Sequence, residues 1–432
     1  MVSDLLNSLD DSLPGGELGT LLSYPPELRF LAAKGSGSKL YDEDGNEYLD
    51  LLMGSGPLIL GHCHPAVMAA AKAQLEQCST CYQPTPSIAE LAELIVSASP
   101  CAGKLRFVTT GAEATYYAMR LARAFTGREK IVKCAGAYHG CHDYSLVGFL
   151  AGDYDPLDAP VNSAGIPEGS SRTVMLSDFN DLDMAADLMR QHGDSVAAII
   201  LEPILGVVPP RDGFLQGLRE LADKYGSLLI FDEMITGFRL AWGGAQEAFS
   251  VVPDLACYGK IIGGGYPTAA VCGREDVLNL SVFANRANPD YVLFSGTFYA
   301  NPMAAAAGAA TLRELAKPGM FDRLNQVGTS IRSGLRDVVD DVGIPAQVVG
   351  IGPVYNVFFT DQPIVNHRQI MSSRMDLSRD LLLRLARERV LISSSKGWLS
   401  TVHDEADVAR AVDAYRKCLT DMVDAGLLQA KN

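Results

Sequence analysis

Two short apolar runs, each ending in a chemically loaded residue, constrain this chain more than any other feature. The first, Leu228 to Phe231, is bounded by polar residues and reads as a buried strand that ends in Asp232-Glu233. The second, Leu255 to Tyr258, leads into Gly259-Lys260 and then into the cluster Gly263-Gly264-Gly265. A carboxylate at one strand end and a lysine at another, beside backbone-permissive glycines, suit a cofactor held at the edge of a sheet. If the two strand ends lie side by side, Asp232 and Lys260 can bracket one small heterocycle.

Pyridoxal phosphate chemistry needs such a pair. A lysine amine forms the Schiff base, and a carboxylate keeps the pyridine nitrogen protonated so that the ring can act as an electron sink. An isolated Asp and Lys would more often be a helix cap and a surface lysine, so the surrounding pattern decides. Between Asp232 and Pro267 that pattern is DExxTGFR…GGxQ…PDL…GKIIGGGxP. It resembles the class III (subgroup II) aminotransferases of fold type I, and most closely their glutamate-1-semialdehyde aminomutase branch. The resemblance runs from about residue 37 to about residue 420 and implies pyridoxal 5'-phosphate as cofactor, with Lys260 and Asp232 as the catalytic residues.

The rest of the chain fits that expectation. Residues 1 to about 35 read as irregular, broken by Pro14-Gly15-Gly16 and Pro25-Pro26. A hairpin is expected between Gly37 and Leu52, turning at Asp44-Gly45. Helical spacing recurs from Ala66 to Gln77 and from Ile88 to Ser97, and Lys104–Val108 and Lys130–Cys134 read as strands. Ala114, Ala118, Leu121 and Phe125 share one face of a helix that ends at Gly127. Residues 144 to 172 are rich in Gly, Pro, Asp and Ser and read as a lid or binding loop. Strand Ala197–Leu201, helix Leu215–Lys224 and strand Leu228–Phe231 then restore the alternation. After a small-residue helix from Pro302, three helices near Phe321–Asp340, Arg374–Glu388 and Glu405–Met422 alternate with strands Ala346–Val349, Val354–Phe359 and Val390–Ser393. The fold class expected is α/β of the pyridoxal-phosphate transferase fold type I: a central mixed, mostly parallel sheet with helices on both faces, plus a smaller α+β C-terminal domain. The domains expected are an N-terminal segment with a hairpin at 1–60, a large cofactor-binding domain at 61–314 and a small domain at 315–432.

Charge and cysteine content narrow the function classes. A formal charge of −15 disfavours a nucleic-acid surface, so any phosphate site must be built locally from backbone N–H groups. No apolar run reaches membrane-spanning length, and the acidic N-terminus lacks a secretory n-region. Nine scattered cysteines do not make a complete disulfide framework and fit a cytoplasmic protein. Cys78-Ser-Thr-Cys81, His62-Cys63-His64 and His139-Gly-Cys-His142-Asp143 lack the further ligands a metal needs, so no metal is expected.

The remaining contacts follow from the resemblance. Thr109-Thr110-Gly111-Ala112-Glu113-Ala114 lies at a strand–helix junction, where free N–H groups and the helix dipole favour an anion. It is similar to the family's N-S-G-T-E-A phosphate cup, which places Thr110, Gly111 and Ala112 on the phosphate. Thr109 and Ala112 replace Asn and Thr there, so position 112 offers backbone donation alone. Tyr138 matches the aromatic over the pyridine ring, Met234 the apolar position beneath it, and Glu202-Pro203 the family's EP pair. Ser295-Gly296-Thr297 resembles the loop whose threonine bonds the phosphate across a dimer interface, implying a homodimer with shared active sites. Departures cluster on the substrate side. The mutase branch's early V-N-S-P-V-R arginine has no counterpart after Pro14-Gly15-Gly16, and its bulky Trp is replaced by Ser55. Its C-terminal acidic residue is missing from SSSKGWLS. There Lys396 falls on the arginine of the S-P-R-G-F stretch of β-amino acid aminotransferases. Ser55, Glu202 and Lys396 are therefore the substrate-binding candidates, with Arg29 and Arg239 as further cations. The reaction expected is amino transfer from an amino acid or amine to a separate oxo acceptor; the alternative is an intramolecular aminomutase of the glutamate-1-semialdehyde type.

Overall fold

The computed structural model describes residues 2–16, 18, 24–393 and 396–429. The chain divides into a larger unit, Pro65–Phe321 with Ile364–Met371, and a smaller one, Met1–His64 with Asp322–Pro363 and Ser372–Asn432.

Seven strands make the sheet of the larger unit: β1 Lys104–Val108, β2 Lys130–Cys134, β3 Val174–Ser177, β4 Val196–Leu201, β5 Leu228–Asp232, β6 Leu255–Tyr258 and β7 Ala269–Gly273. Their order is β1-β7-β6-β5-β4-β2-β3. β3, β2, β4, β5 and β6 run parallel, whereas β7 is antiparallel to both of its neighbours. Every residue of β4, β5, β6 and β7 is buried, the signature of strands covered on both faces. Such strands carry unbroken apolar runs with no alternation to read. The principal helices of this unit are α1 Pro65–Gln77, α2 Pro86–Ala98, α3 Gly111–Thr126, α4 Leu182–His192, α5 Phe214–Tyr225 and α6 Pro302–Leu315. This is the fold type I arrangement, a mixed but mostly parallel central sheet covered by helices.

α3 packs Ala114, Ala118, Met119, Leu121 and Ala122 into the core and ends at Gly127 in the left-handed conformation, as its spacing indicated. Phe125 departs from that reading. It is 37% exposed, in the last turn, with the Arg274 guanidinium 5.0 Å from its ring centre. α6 is almost wholly buried, and its small side chains let it pack directly on the turn that begins at Lys260. Between β2 and the short helix Glu168–Ser171 the chain has isolated bridges only, such as Val147 with Val161. Even so, Val147 and Ala151 pack with Ala135, Val174 and Leu176, so this segment has a core of its own.

In the smaller unit, Lys39–Asp42 and Glu47–Asp50 form the expected hairpin, with Gly45 at φ 80° in its turn. Val390–Leu391 adds to that sheet in parallel. Gln347–Ile351, Val354–Phe358 and Gly397–Trp398 form a second sheet. Helices Met320–Val342, Met375–Arg387 and Glu405–Asp424 bring Leu335, Leu381, Leu385 and Leu419 into one core with Tyr355 and Tyr415. Residues 1–35 are not irregular throughout: they contain helix Val2–Ser12 and strand Ala32–Ser36. The strand's AAKGS sequence has no strand preference of its own. It is extended because it pairs with Lys39–Asp42.

Candidate active site

The expected juxtaposition is present. β5 and β6 are adjacent and parallel, with Asp232 opposite Cys257. Asp232 therefore ends one strand while the next delivers Lys260 two residues beyond its own end. Crevices outside the carboxyl ends of parallel strands are where open α/β sheets bind ligands. Lys260 has φ 50°, in the left-handed region, at the head of the turn Lys260–Gly263. For a residue with a side chain this costs on the order of 1–3 kcal/mol, a strain found mainly where function requires it.

Asp232 is 2% exposed. A carboxylate that deep needs partners. It has the Met234 N–H at 3.1 Å on Oδ1 and the His139 Nδ1 at 2.8 Å on Oδ2. His139 is itself fully buried, and among the described residues its Nε2 meets no hydrogen-bond partner. Nothing near His139 in the sequence announces this pairing, because its partner is 93 residues away. Nearby, Thr115 Oγ1 lies 3.1 Å from His142 Nε2, and burial drives the His142 imidazole down to about 3.

The phosphate-cup candidates open α3. Thr110 is its N-cap in a capping box: its Oγ1 accepts from the Glu113 N–H, while Glu113 Oε2 accepts from the Thr110 N–H at 2.8 Å. A cap of this kind stabilises a helix by about 1 kcal/mol. Gly111 and Ala112 are the first two residues of the helix, where backbone N–H groups have no intrahelical acceptor. A methyl built on Gly111 would lie 2.9 Å from the Met234 sulfur, and one on Gly259 would lie 2.5 Å from it. Met234 is thus wedged between the helix start and the Lys260 turn. Gly140, at φ 96°, sits so close to Ala112 that an added methyl would fall 2.4 Å from the Ala112 Cβ. The Tyr138-His139-Gly140 segment therefore lies directly on the same helix start. Tyr138 is 42% exposed, its ring 5.1 Å from that of Phe149, and its N–H donates to Glu202 Oε1 at 2.9 Å. Glu202 is 6% exposed, so its carboxylate holds the Tyr138 backbone.

Several motif residues bond to the fold around this strand end. Glu233, next to Asp232 but on the opposite side of the chain, accepts from the Ala245 N–H at 2.9 Å, the Gln246 N–H at 3.2 Å and Thr236 Oγ1 at 2.5 Å. Burial pushes its carboxyl up, and these bonds oppose the shift. Gln246 Nε2 reaches the Tyr258 hydroxyl at 2.9 Å, and that hydroxyl donates to Ser99 Oγ at 2.9 Å. Arg239 is 1% exposed, bonds the Ile235 carbonyl through Nε at 2.7 Å, and is pushed down to about 9 by burial.

Thr297 is exposed. Its loop is tied down on both sides: Phe294 stacks on Tyr117 at 3.9 Å, and the Tyr299 hydroxyl donates to Glu113 Oε1 at 3.0 Å. Ser55 and Lys396 belong to the smaller unit. Ser55 has φ 66°, and the Lys396 ammonium lies 5.5 Å from the centre of the Trp398 ring. Arg29 pairs with Asp10 at 2.7 Å. Of the stretches that depart from the mutase branch, Ser394 and Ser395, and residues 17 and 19–23 after Pro14-Gly15-Gly16, lie outside the described residues. Among the described residues no group of three or more His, Cys, Asp or Glu side chains is disposed to hold a metal ion. None of their helices is long and apolar enough to cross a membrane.

A model of the class-III aminotransferases matches residues 23–398. The glutamate-1-semialdehyde 2,1-aminomutase of Natranaerobius thermophilus is 38% identical over 89% of this chain and 90% of its own. An omega-transaminase from Sphaerobacter thermophilus superposes with a TM-score of 0.91 at 34% identity, covering 97% of each chain. A transaminase solved with PLP bound superposes with a TM-score of 0.88 at 30% identity, covering 99% of this chain and 100% of its own.

Proposed function

Because the chain belongs to the class III aminotransferase family, we propose that it moves an amino group from an amino acid or amine to a separate oxo acceptor, with Lys260 and Asp232 as the catalytic residues. Pyridoxal 5'-phosphate is the cofactor; when bound it supplies the electron sink that stabilises charge on the substrate carbon. The observation that carries the reading is the adjacency of the two strand ends, a buried carboxylate on one and a strained lysine on the other, beside a helix start whose first N–H groups have no intrahelical acceptor. That donor set fits the cofactor. Lys260 would hold its aldehyde carbon covalently, Asp232 its ring nitrogen, and the Gly111 and Ala112 N–H groups its phosphate, with Thr110 fixing the helix start. Met234 would support one face of the ring and Tyr138 cover the other. In the reaction the incoming amine would displace Lys260 Nζ from that bond, and the freed Nζ would take the proton from the amine-bearing carbon and give it back, as base and then acid. His139 holds Asp232 oriented and donates to it, which keeps the carboxylate from turning away from the ring nitrogen.

The second reading is the intramolecular aminomutase. The curated relative's name supports it more directly than it supports transfer. Transfer is supported by the omega-transaminase likeness, and by the missing early arginine and the small Ser55 in place of a bulky Trp. Oxo-acceptor dependence separates the two. With an amino donor and no oxo acid, transfer yields about one product per active site and then stops; adding pyruvate or 2-oxoglutarate restores steady turnover. Steady turnover of glutamate-1-semialdehyde without any oxo acid would establish the mutase instead.

On the substrate side we propose Lys396 as a carboxylate anchor and Ser55 as the residue that leaves room for the substrate. A lysine gives a point charge rather than a bidentate fork, so its contribution to binding is modest. Lys396→Ala is expected to raise KM for the carboxylated partner about tenfold, which is about 1.4 kcal/mol of uniform binding, with kcat little changed. An unchanged KM for every accepted amino acid removes this role. The protein is further proposed to act as a homodimer in which Thr297 of one chain serves the phosphate of the other. Leu293 and Phe298, flanking Thr297 in the sequence, are 54% and 57% exposed, which suits residues covered by a second copy. A single-chain mass in solution would exclude that arrangement.

A further inference from the structure

We propose that Lys133 is a positioning residue for this site: its buried ammonium clamps the carbonyls of the segment that carries Tyr138 and His139. The proposal rests on the reading of Asp232 and its surroundings as the cofactor site. Lys133 is the fourth residue of β2 and is 1% exposed, although it is a lysine within a strand of the sheet. A buried ammonium must be satisfied on every proton. Its Nζ donates to the carbonyls of Ala137 at 3.1 Å, Ser145 at 2.5 Å and Val147 at 2.9 Å. Three protons meet three acceptors, and all three acceptors lie on the one segment that leaves β2.

That segment is held from another direction at one amide, where the Tyr138 N–H donates to Glu202 Oε1; within the segment the His139 N–H donates to Ser145 Oγ at 2.9 Å. Carbonyls therefore face a cation, while an N–H at the same turn faces a carboxylate. The segment has no regular ladder to satisfy its backbone, so these side chains take the ladder's place. An apolar side chain at position 133 would fill the space and leave three carbonyls unpaired. Burial lowers the Lys133 amine to about 7, and the nearby Glu202 opposes that shift. A group held against such a desolvation cost is better explained by the geometry it specifies than by net stability. What it specifies is the placement of the Tyr138 ring over the site and of the His139 ring on Asp232.

The test uses the full-length holoenzyme and its apo form, with Lys133→Met as the main variant. Amide hydrogen exchange in residues 137–147 of the apo protein is expected to rise at least about tenfold while β4 to β6 stay protected. Affinity for pyridoxal phosphate and the visible circular-dichroism band of the bound cofactor should both fall. kcat is expected to drop about 10- to 100-fold with KM nearly constant, the pattern of a displaced rather than a missing group. Lys133→Gln, which keeps two donors, should fall between wild type and Lys133→Met, and it carries the same readouts if Lys133→Met does not fold. Wild-type exchange, affinity and band in these variants, or faster exchange spread evenly over the sheet, would overturn the clamp. A wild-type protein that binds no pyridoxal phosphate would instead overturn the cofactor reading, and the apo exchange measurement would still decide for Lys133.

Discussion

Lys260→Ala is expected to reduce turnover by at least about 10⁴-fold, because one substitution removes both the proposed covalent attachment and the group proposed to move the proton. The variant should still bind pyridoxal phosphate noncovalently, since Asp232, His139 and the α3 N–H groups are untouched. Its bound cofactor should resist borohydride fixation to the protein, which in wild type marks residue 260 by mass. Added methylamine should restore a small part of the rate by acting as a free base. Folding should be little affected: the φ of 50° is set by the turn and by the packing of α6 behind it, not by the lysine side chain. Retention of turnover without added amine would remove Lys260 from the mechanism and with it the proposed function.

Asp232→Asn is expected to lower kcat by about 10²- to 10³-fold, the usual cost of losing a preorganised charge at the reacting centre. The substitution preserves shape. The amide oxygen can still accept either from the Met234 N–H or from His139, so the strand end stays in place. What is lost is the negative charge proposed to keep the ring nitrogen protonated. The expected signature is a cofactor that remains bound through Lys260, shows a shifted visible spectrum and reacts slowly with amino donors. A wild-type kcat in Asp232→Asn would mean that this carboxylate only supports His139.

The parts of this molecule legible in the sequence are those where local pattern and burial coincide. Lys104–Val108, Lys130–Cys134 and Leu255–Tyr258 are strands with the expected limits, because polar or glycine residues bound each apolar run. β3, β7 and helix α4 are not among the elements expected from the sequence. β7 is AAVCG, buried throughout, with small residues that carry neither alternation nor strand preference. It is a strand because β1 and β6 flank it. In the site, Asp232 and Lys260 were readable because each sits at a strand end within one continuous stretch of motif. His139 and Lys133 were not. The histidine's partner is distant in the sequence, and a lysine in a short strand reads as an outward-facing residue until its three carbonyl partners are known. The motif letters do not say what Glu233 of DExxTGFR and Gln246 of GGxQ do: they bond to each other, and Gln246 reaches the Tyr258 hydroxyl.

The sulfur of Met234, lodged between the α carbons of Gly111 and Gly259, ties three distant positions into a single unit of variation. A laboratory library that enlarges position 111 or 259 alone will meet a steric wall. One that shortens position 234 alone will open a void between the two glycines. Exchanges that trim the thioether while adding a methyl opposite can conserve volume, so recombination experiments on this scaffold should treat the three codons as one linked allele.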